Sequence, residues 1–180
     1  MTYIGKALLL LLIPILLLSC SKEQPAELML HDFESDSELD QLHWSCHSLC
    51  TLSGEHATHG SKSLKLELFP SEYPGMDFSP RVKDWRGHKA LCLDVFNPSK
   101  QQVQLTLRID DKKNFPDYDD RYNKSFIINP GTNNIAIPLD SLTASRTNRQ
   151  LDPAHIERIF IFGAHPHDKT TLFIDAIKLQ

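Results

Sequence analysis

The chain has no Gly-x-Ser-x-Gly turn, no Gly-rich loop of the phosphate-cradling kind and no His-Glu-x-x-His. The commonest serine hydrolases, nucleotide enzymes and zinc peptidases therefore lose their usual starting points. Basic runs are missing as well: 19 Lys and Arg stand against 23 Asp and Glu, a formal charge of -4, with no cationic patch to argue for a nucleic-acid partner. No apolar run reaches the roughly 20 residues that a membrane-spanning helix needs. No stretch reads as an amphipathic helix of any length, and no internal repeat or low-complexity segment is visible. Cysteine is scarce, with 4 in 180 residues, so a disulfide framework does not organise the chain.

The N-terminus does carry a pattern. Lys6 is the one charge ahead of an apolar run over residues 7–18, the length of a signal-peptide core. Leu17-Leu18-Ser19-Cys20 follows and resembles the lipobox of bacterial lipoprotein signals, in which a peptidase cuts before an acylated cysteine. The plainer alternative is an ordinary secretory peptide with an incidental cysteine. The lipobox implies cleavage after residue 19 and a diacylglycerol thioether on Cys20, giving the more than one acyl chain that stable membrane anchoring takes. Ser21 and Lys22 come next, with no Asp to suggest inner-membrane retention, so the expected location is the outer membrane of a bacterial envelope. Residues 20–27 form a polar, lipidated tether. Loss of Lys6 with the leader makes the mature chain one unit more negative.

Residues 28–180 are enough for one domain with its own core. Residues 28–34, 64–69, 90–96, 103–110, 124–129, 134–139, 158–162 and 171–179 read as short extended runs. Ser53-Gly54, His59-Gly60, Tyr73-Pro74-Gly75, Asn97-Pro98 and Asn129-Pro130-Gly131 punctuate them. Residues 152–156, with Asp152 as cap and Pro153 in the first turn, are the one helical candidate. The class is all-β, a sandwich or a barrel. With Cys20 assigned to lipid, Cys46, Cys50 and Cys92 remain. An odd number allows one bridge, of which Cys46 to Cys50 is the compact option, and one free thiol. Cys92 lies in a strand and reads as a small buried hydrophobe. The Cys-x3-Cys pair has no second pair to complete a zinc site.

The stretch over residues 84–123 is chemically the richest. Val103, Leu105, Leu107 and Ile109 alternate with Gln104, Thr106, Arg108 and Asp110, so one face of a strand is buried and the other displayed. Beyond it come Tyr118, Asp119, Asp120, Arg121, Tyr122 and Asn123. Planar donors such as Arg108 and Arg121, acceptors such as Asp110 and Asp119, and the rings of Tyr118 and Tyr122 suit a ligand built of hydroxyl groups. Glycoside hydrolysis would need Asp110 and Asp119 to converge, with one of them desolvated enough to hold its proton. His165-Pro166-His167-Asp168 joins two late strands and is placed at a rim; as a metal site it lacks an assured third ligand. Trp85, beside a turn, reads as a plug at the end of a sandwich, and Trp44 as a structural residue in a loop.

The order of these pieces carries a resemblance. Residues 85–91, Asp94-Val95-Phe96-Asn97-Pro98, Leu105-Thr106-Leu107-Arg108-Ile109-Asp110-Asp111 and residues 118–123 are similar to non-catalytic carbohydrate-binding modules of the galactose-binding-like jelly-roll superfamily. Asp32-Phe33-Glu34, His59-Gly60-Ser61-Lys62-Ser63-Leu64 and residues 172–177 extend the likeness over 28–180. The resemblance implies a jelly-roll β-sandwich of two antiparallel sheets. It also implies a polysaccharide or oligosaccharide held in the concave face by Arg108, Asp110, Tyr118, Asp119, Arg121, Tyr122, Asn123 and His165, without catalysis. A structural calcium is implied by the matching positions Glu34, Asp36, the carbonyl of Lys62, and Asp175; such an ion takes six to eight oxygens. The same fold family includes domains resembling complex I intermediate-associated proteins, for which the Arg and Asp face would contact a protein partner.

Overall fold

The structure, a computed structural model, describes residues 26–44, 47–114 and 116–180. The chain pairs into two antiparallel sheets. The first has the order β3 (Ser48–Ser53), β4 (Ser63–Leu68), β11 (Thr170–Leu179), β6 (Ala90–Asn97) and β9 (Gly131–Pro138), with β1 (Leu28–His31) also paired to β11. The second has the order β2 (His43–Trp44), β5 (Gly75–Phe78), β10 (Arg158–Phe162), β7 (Val103–Asp110) and β8 (Tyr122–Ile128). The expected all-β sandwich is therefore present.

Strict alternation builds the core. Leu64, Leu66 and Leu68 of β4, Leu91, Leu93 and Val95 of β6, and Leu172 and Ile174 of β11 meet Leu105, Leu107 and Ile109 of β7 and Ile159 and Ile161 of β10 in one buried cluster. Each such side chain contributes about 1.5–3 kcal/mol by leaving water, and together they bind the sheets into a single body. Trp85 is fully buried, its Nε1 donating to the Val82 carbonyl at 3.0 Å, as a plug requires.

β11 is the organising strand. Residues Thr170 to Ile174 pair with β4, Leu179 to Ile177 pair with β1 on the same edge, and β6 runs along the other. The register breaks between Asp175 and Lys178, where Ala176 adopts φ 50°. Outside this sheet, residues 54–62 lie over its outer face: His56 stacks on Phe96 at 3.5 Å and meets Phe173 edge-on at 4.7 Å.

Several local expectations need correction. Residues 152–156 form turns, not helix, because Asp152 Oδ1 accepts from Ala154 N at 2.9 Å and closes a tight Asx turn. The short helix lies instead at Asp36–Leu39, where Glu38 turns back to accept from the backbone N–H of Asp32, Phe33 and Glu34 at 3.1 to 3.2 Å. β2, β3 and β5 were not anticipated as strands; Trp44 belongs to β2 and is 44% exposed at its edge. Cys50 is a free, buried thiol, with its pKa pushed up to about 12 by burial. Its expected partner Cys46 lies outside the described residues. Cys92 is not a core hydrophobe: it sits on the outward register of β6, with Sγ 3.5 Å from Gln180 Oε1.

Candidate functional site

Because Leu105, Leu107 and Ile109 point into the core, Thr106, Arg108 and Asp110 point out of the second sheet. Yet Arg108 is only 8% exposed and Asp110 1%. Outward side chains this covered lie beneath their neighbours on the sheet. Cross-strand register sets what surrounds them. One row runs Gly75, Phe162, Thr106, Ser125; the next runs His43, Asp77, Phe160, Arg108, Asn123; a third sets Arg158 against Asp110. Arg121 extends that third row, one residue before the Tyr122 to Ile109 pair.

The polar groups are locked. Arg108 grips Asp110 with two bonds, Nε to Oδ1 at 2.8 Å and NH2 to Oδ2 at 2.6 Å, and Arg158 NH2 bonds Asp77 Oδ2 at 2.7 Å. The bidentate Arg108–Asp110 pair holds both partners to one geometry. Between them lies an aromatic strip: Phe160 and Phe162 stack at 4.6 Å, Tyr73 meets Phe162 edge-on at 5.8 Å, and His165 lies 5.1 Å from Tyr73. Gly75 makes room for the strip, since a Cβ there would collide with the Ile161 carbonyl and the Phe162 side chain.

The opposite rim is built by the turn Tyr118–Asp120 and by the long connection from β9 to β10. Arg149 ties the two, donating to Asp111 at 2.6 and 2.8 Å and to Asp120 at 2.6 Å. Burial alone would raise the Asp111 pKa; the Arg149 bonds, the Asp152 N–H and the Arg149 charge together bring it below its ordinary value. The same contacts, led by Asp111, raise Arg149. On this rim the guanidiniums of Arg121 and Arg146 lie 5.2 and 5.7 Å from the centre of the Tyr118 ring, while Asp119 pairs with Arg146 at 3.3 Å. Two recesses open beside the face: one of about 780 Å³ between residues 98–104 and 163–171, which includes His165, and one of about 290 Å³ beside Asn123 and Ser145. Both are flanking hollows, and neither contains the arginines or the aromatic strip.

Seven of the eight residues expected to bind ligand thus gather on or around one face: Arg108, Asp110, Tyr118, Asp119, Arg121, Asn123 and His165. Tyr122 does not. Its place opposite Ile109 turns it inward, it is 5% exposed, and burial pushes its pKa up to about 12. Asp110 engages Arg108 and Asp119 engages Arg146. The sequence reasoning missed Asp77, Arg158, Phe160, Phe162 and Tyr73. The signal was present: Arg158, Phe160 and Phe162 alternate with Ile159 and Ile161, a strand whose non-aliphatic face is aromatic.

The residues expected to hold calcium lie around residues 58–62, where the edge of β11 passes from β4 to β1. Glu34 accepts from Ser61 N and Lys62 N, each at 2.7 Å, and from Ser61 Oγ at 2.9 Å; these bonds, Lys62 N first, lower its pKa. Asp175 accepts from Thr58 N at 2.6 Å, His59 N at 2.9 Å and Ala176 N at 2.7 Å. Asp36 is exposed on the short helix. Among the described residues no three His, Cys, Asp or Glu side chains converge on a metal position. As arranged, carboxylate oxygens facing N–H groups do not fit the oxygen shell of a calcium ion. Cys20 lies outside the described residues. No helix among those described is long and apolar enough to cross a membrane.

No protein-family model matches the chain, and no curated protein matches it in sequence. Solved structures do match in fold. The Family 11 carbohydrate-binding module from Clostridium thermocellum, in complex with a beta-1,3-1,4-mixed-linked tetrasaccharide, superposes with a TM-score of 0.65 at 18% identity, covering 85% of this chain and 94% of that one. The xylan-binding domain of CBM 22 matches with a TM-score of 0.54 at 17% identity over 86% and 95%. An exo-beta-agarase matches with a TM-score of 0.70 at 18% identity, but the match spans only 25% of that chain. The chain therefore has the jelly-roll fold of carbohydrate-binding modules.

Proposed function

We propose that the outer face of the second sheet binds a saccharide chain without cleaving it, and that Cys20 tethers the sandwich through lipid to the outer membrane of a bacterial envelope. One observation carries the reading: the aromatic strip of Tyr73, Phe162 and Phe160 lies directly beside the buried Arg108 to Asp110 pair, on a face whose outward side chains are sheltered. A sugar ring offers a C–H face to stack on aromatics and equatorial hydroxyls for fixed donors and acceptors, and this face supplies both. Preorganisation by the ion pairs reduces the ordering cost that weakens binding.

A glycan array probed with the detergent-solubilised processed protein, with and without calcium, tests the reading, and the mass of that protein reports whether Cys20 carries its diacylglycerol. Tyr73→Ala, at a half-exposed position, is expected to weaken the saccharide bound by tenfold or more, about 1.4 kcal/mol, with an unchanged melting temperature. Silence across the array together with a co-purifying protein would instead establish the face as a protein interface.

A further inference from the structure

The charges on this face do not balance. Asp110 sits between Arg158 across the strand pair and Arg121 on the other side, with Arg108 two residues back along its own strand. Arg108 takes both Asp110 oxygens, and Arg158 is bonded to Asp77. Three guanidiniums thus share two carboxylates, and Arg121 is the one that forms no ion pair with a carboxylate among the described residues. Its Nε is buried with no hydrogen-bond partner among the described residues. Burial, and then the charges of Arg108 and Arg158 set against those of Asp110 and Tyr118, lower its pKa, though an arginine stays protonated in any protein. A partly desolvated cation facing like charge is a cost that folding alone does not explain, in a chain whose formal charge is -4.

Resting on the saccharide-binding reading, we infer that the ligand is an acidic glycan whose oxyanion, a uronate carboxylate or a sulfate ester, pairs with Arg121. The Tyr118 ring lies 5.2 Å from the guanidinium, a cation–π contact, and the planar donor fork suits a two-oxygen acceptor, the geometry arginine recognises and lysine does not. The sugar ring carrying that oxyanion then reaches the Phe160 and Phe162 strip from the Arg121 side, passing over Arg108.

The test is titration calorimetry on the processed protein with three oligosaccharides of equal length: a neutral glucan, an oligogalacturonate and a sulfated galactan. The expected result is that one acidic ligand binds at least about tenfold more tightly than the neutral one, as a charge-assisted hydrogen bond allows. Its affinity should fall with added salt, and Arg121→Gln should remove the preference, with Arg121→Lys restoring only part of it. The melting temperature of Arg121→Gln should hold or rise, because the variant relieves repulsion; a merely structural arginine would lower it. Which acidic ligand wins identifies carboxylate or sulfate. Equal binding of neutral and acidic chains overturns the inference and leaves saccharide binding standing, an acidic preference that survives in Arg121→Gln overturns the assignment of Arg121, and binding of none of the three, nor of anything on the array, overturns both.

Discussion

A phenol hydroxyl costs free energy when it is buried with nothing to bond, and Tyr122 is in that state: its oxygen has no hydrogen-bond partner among the described residues, and burial pushes its pKa up to about 12. A buried unpaired donor costs about 1–3 kcal/mol. Tyr122→Phe keeps the ring and removes the cost, so the melting temperature is expected to hold or rise by a few degrees, while saccharide affinity stays unchanged. A loss of affinity in Tyr122→Phe with a normal melting temperature would return this residue to the ligand face and refute the inward register. Tyr73 and Tyr118 make the contrast. Both are about half exposed, at the margins of the face that carries Arg108 and Phe160.

At the scale of elements, hydrogen bonds to two carboxylates hold residues 54–62 across β11. Glu34 and Asp175 draw the backbone N–H groups of residues 58–62 inward, and Gly60 is required there: its φ is +66°, and a Cβ would lie 2.5 Å from Glu34 Cδ. Gly60→Ala is therefore expected to cost about 2 kcal/mol from the left-handed backbone and the displaced carboxylate, lowering the melting temperature by about 6 °C. Chelator is expected to leave the parent unchanged. A calcium-dependent rise in the parent's melting temperature, seen by scanning fluorimetry, would overturn this account and restore the ion. The elements differ in how openly the sequence declared them. β7 and β10 alternate without interruption and match residues 103–110 and 158–162 to the residue. β5 is four residues long and begins at a glycine, and β3 exposes Leu49 while burying Cys50, so neither shows a clean period. The polar half of the site was legible because it is contiguous in sequence. The aromatic strip was legible only in part: Phe160 and Phe162 alternate along β10, but Tyr73, just before β5, reaches them only through the β5–β10 pairing.

At the scale of the whole molecule, one core joins both sheets, so a titrating group at either end acts on a single unfolding equilibrium. His31 of β1 is packed between Phe33, at 5.6 Å, and Phe78, at 4.5 Å; burial lowers its pKa below the ordinary 6.5, despite the opposing bond to Glu38. The unfolded chain therefore takes up a proton at His31 that the folded chain refuses, and stability that is full above about pH 6.5 declines as pH falls toward the folded value. Asp111, beyond the end of β7, behaves as a held carboxylate. Its folded pKa lies below 3.8, so its contribution is complete above that value and is lost as pH falls through the folded one. On falling pH the His31 window opens at about pH 6.5 and the Asp111 window only at about pH 3.8. Urea midpoints measured between about pH 7.5 and 5.5 should fall for the parent and stay level for His31→Gln. Asp111→Asn should instead lose about 2 kcal/mol at neutral pH, keep the His31 slope, and show a shallower decline below about pH 4. The exposed ion pairs add little to either limb, because water screens them. A parent midpoint that is flat down to pH 5.5, or a His31→Gln variant that keeps the full slope, would show that His31 gains its proton without cost and that the β1 edge is open to water in solution.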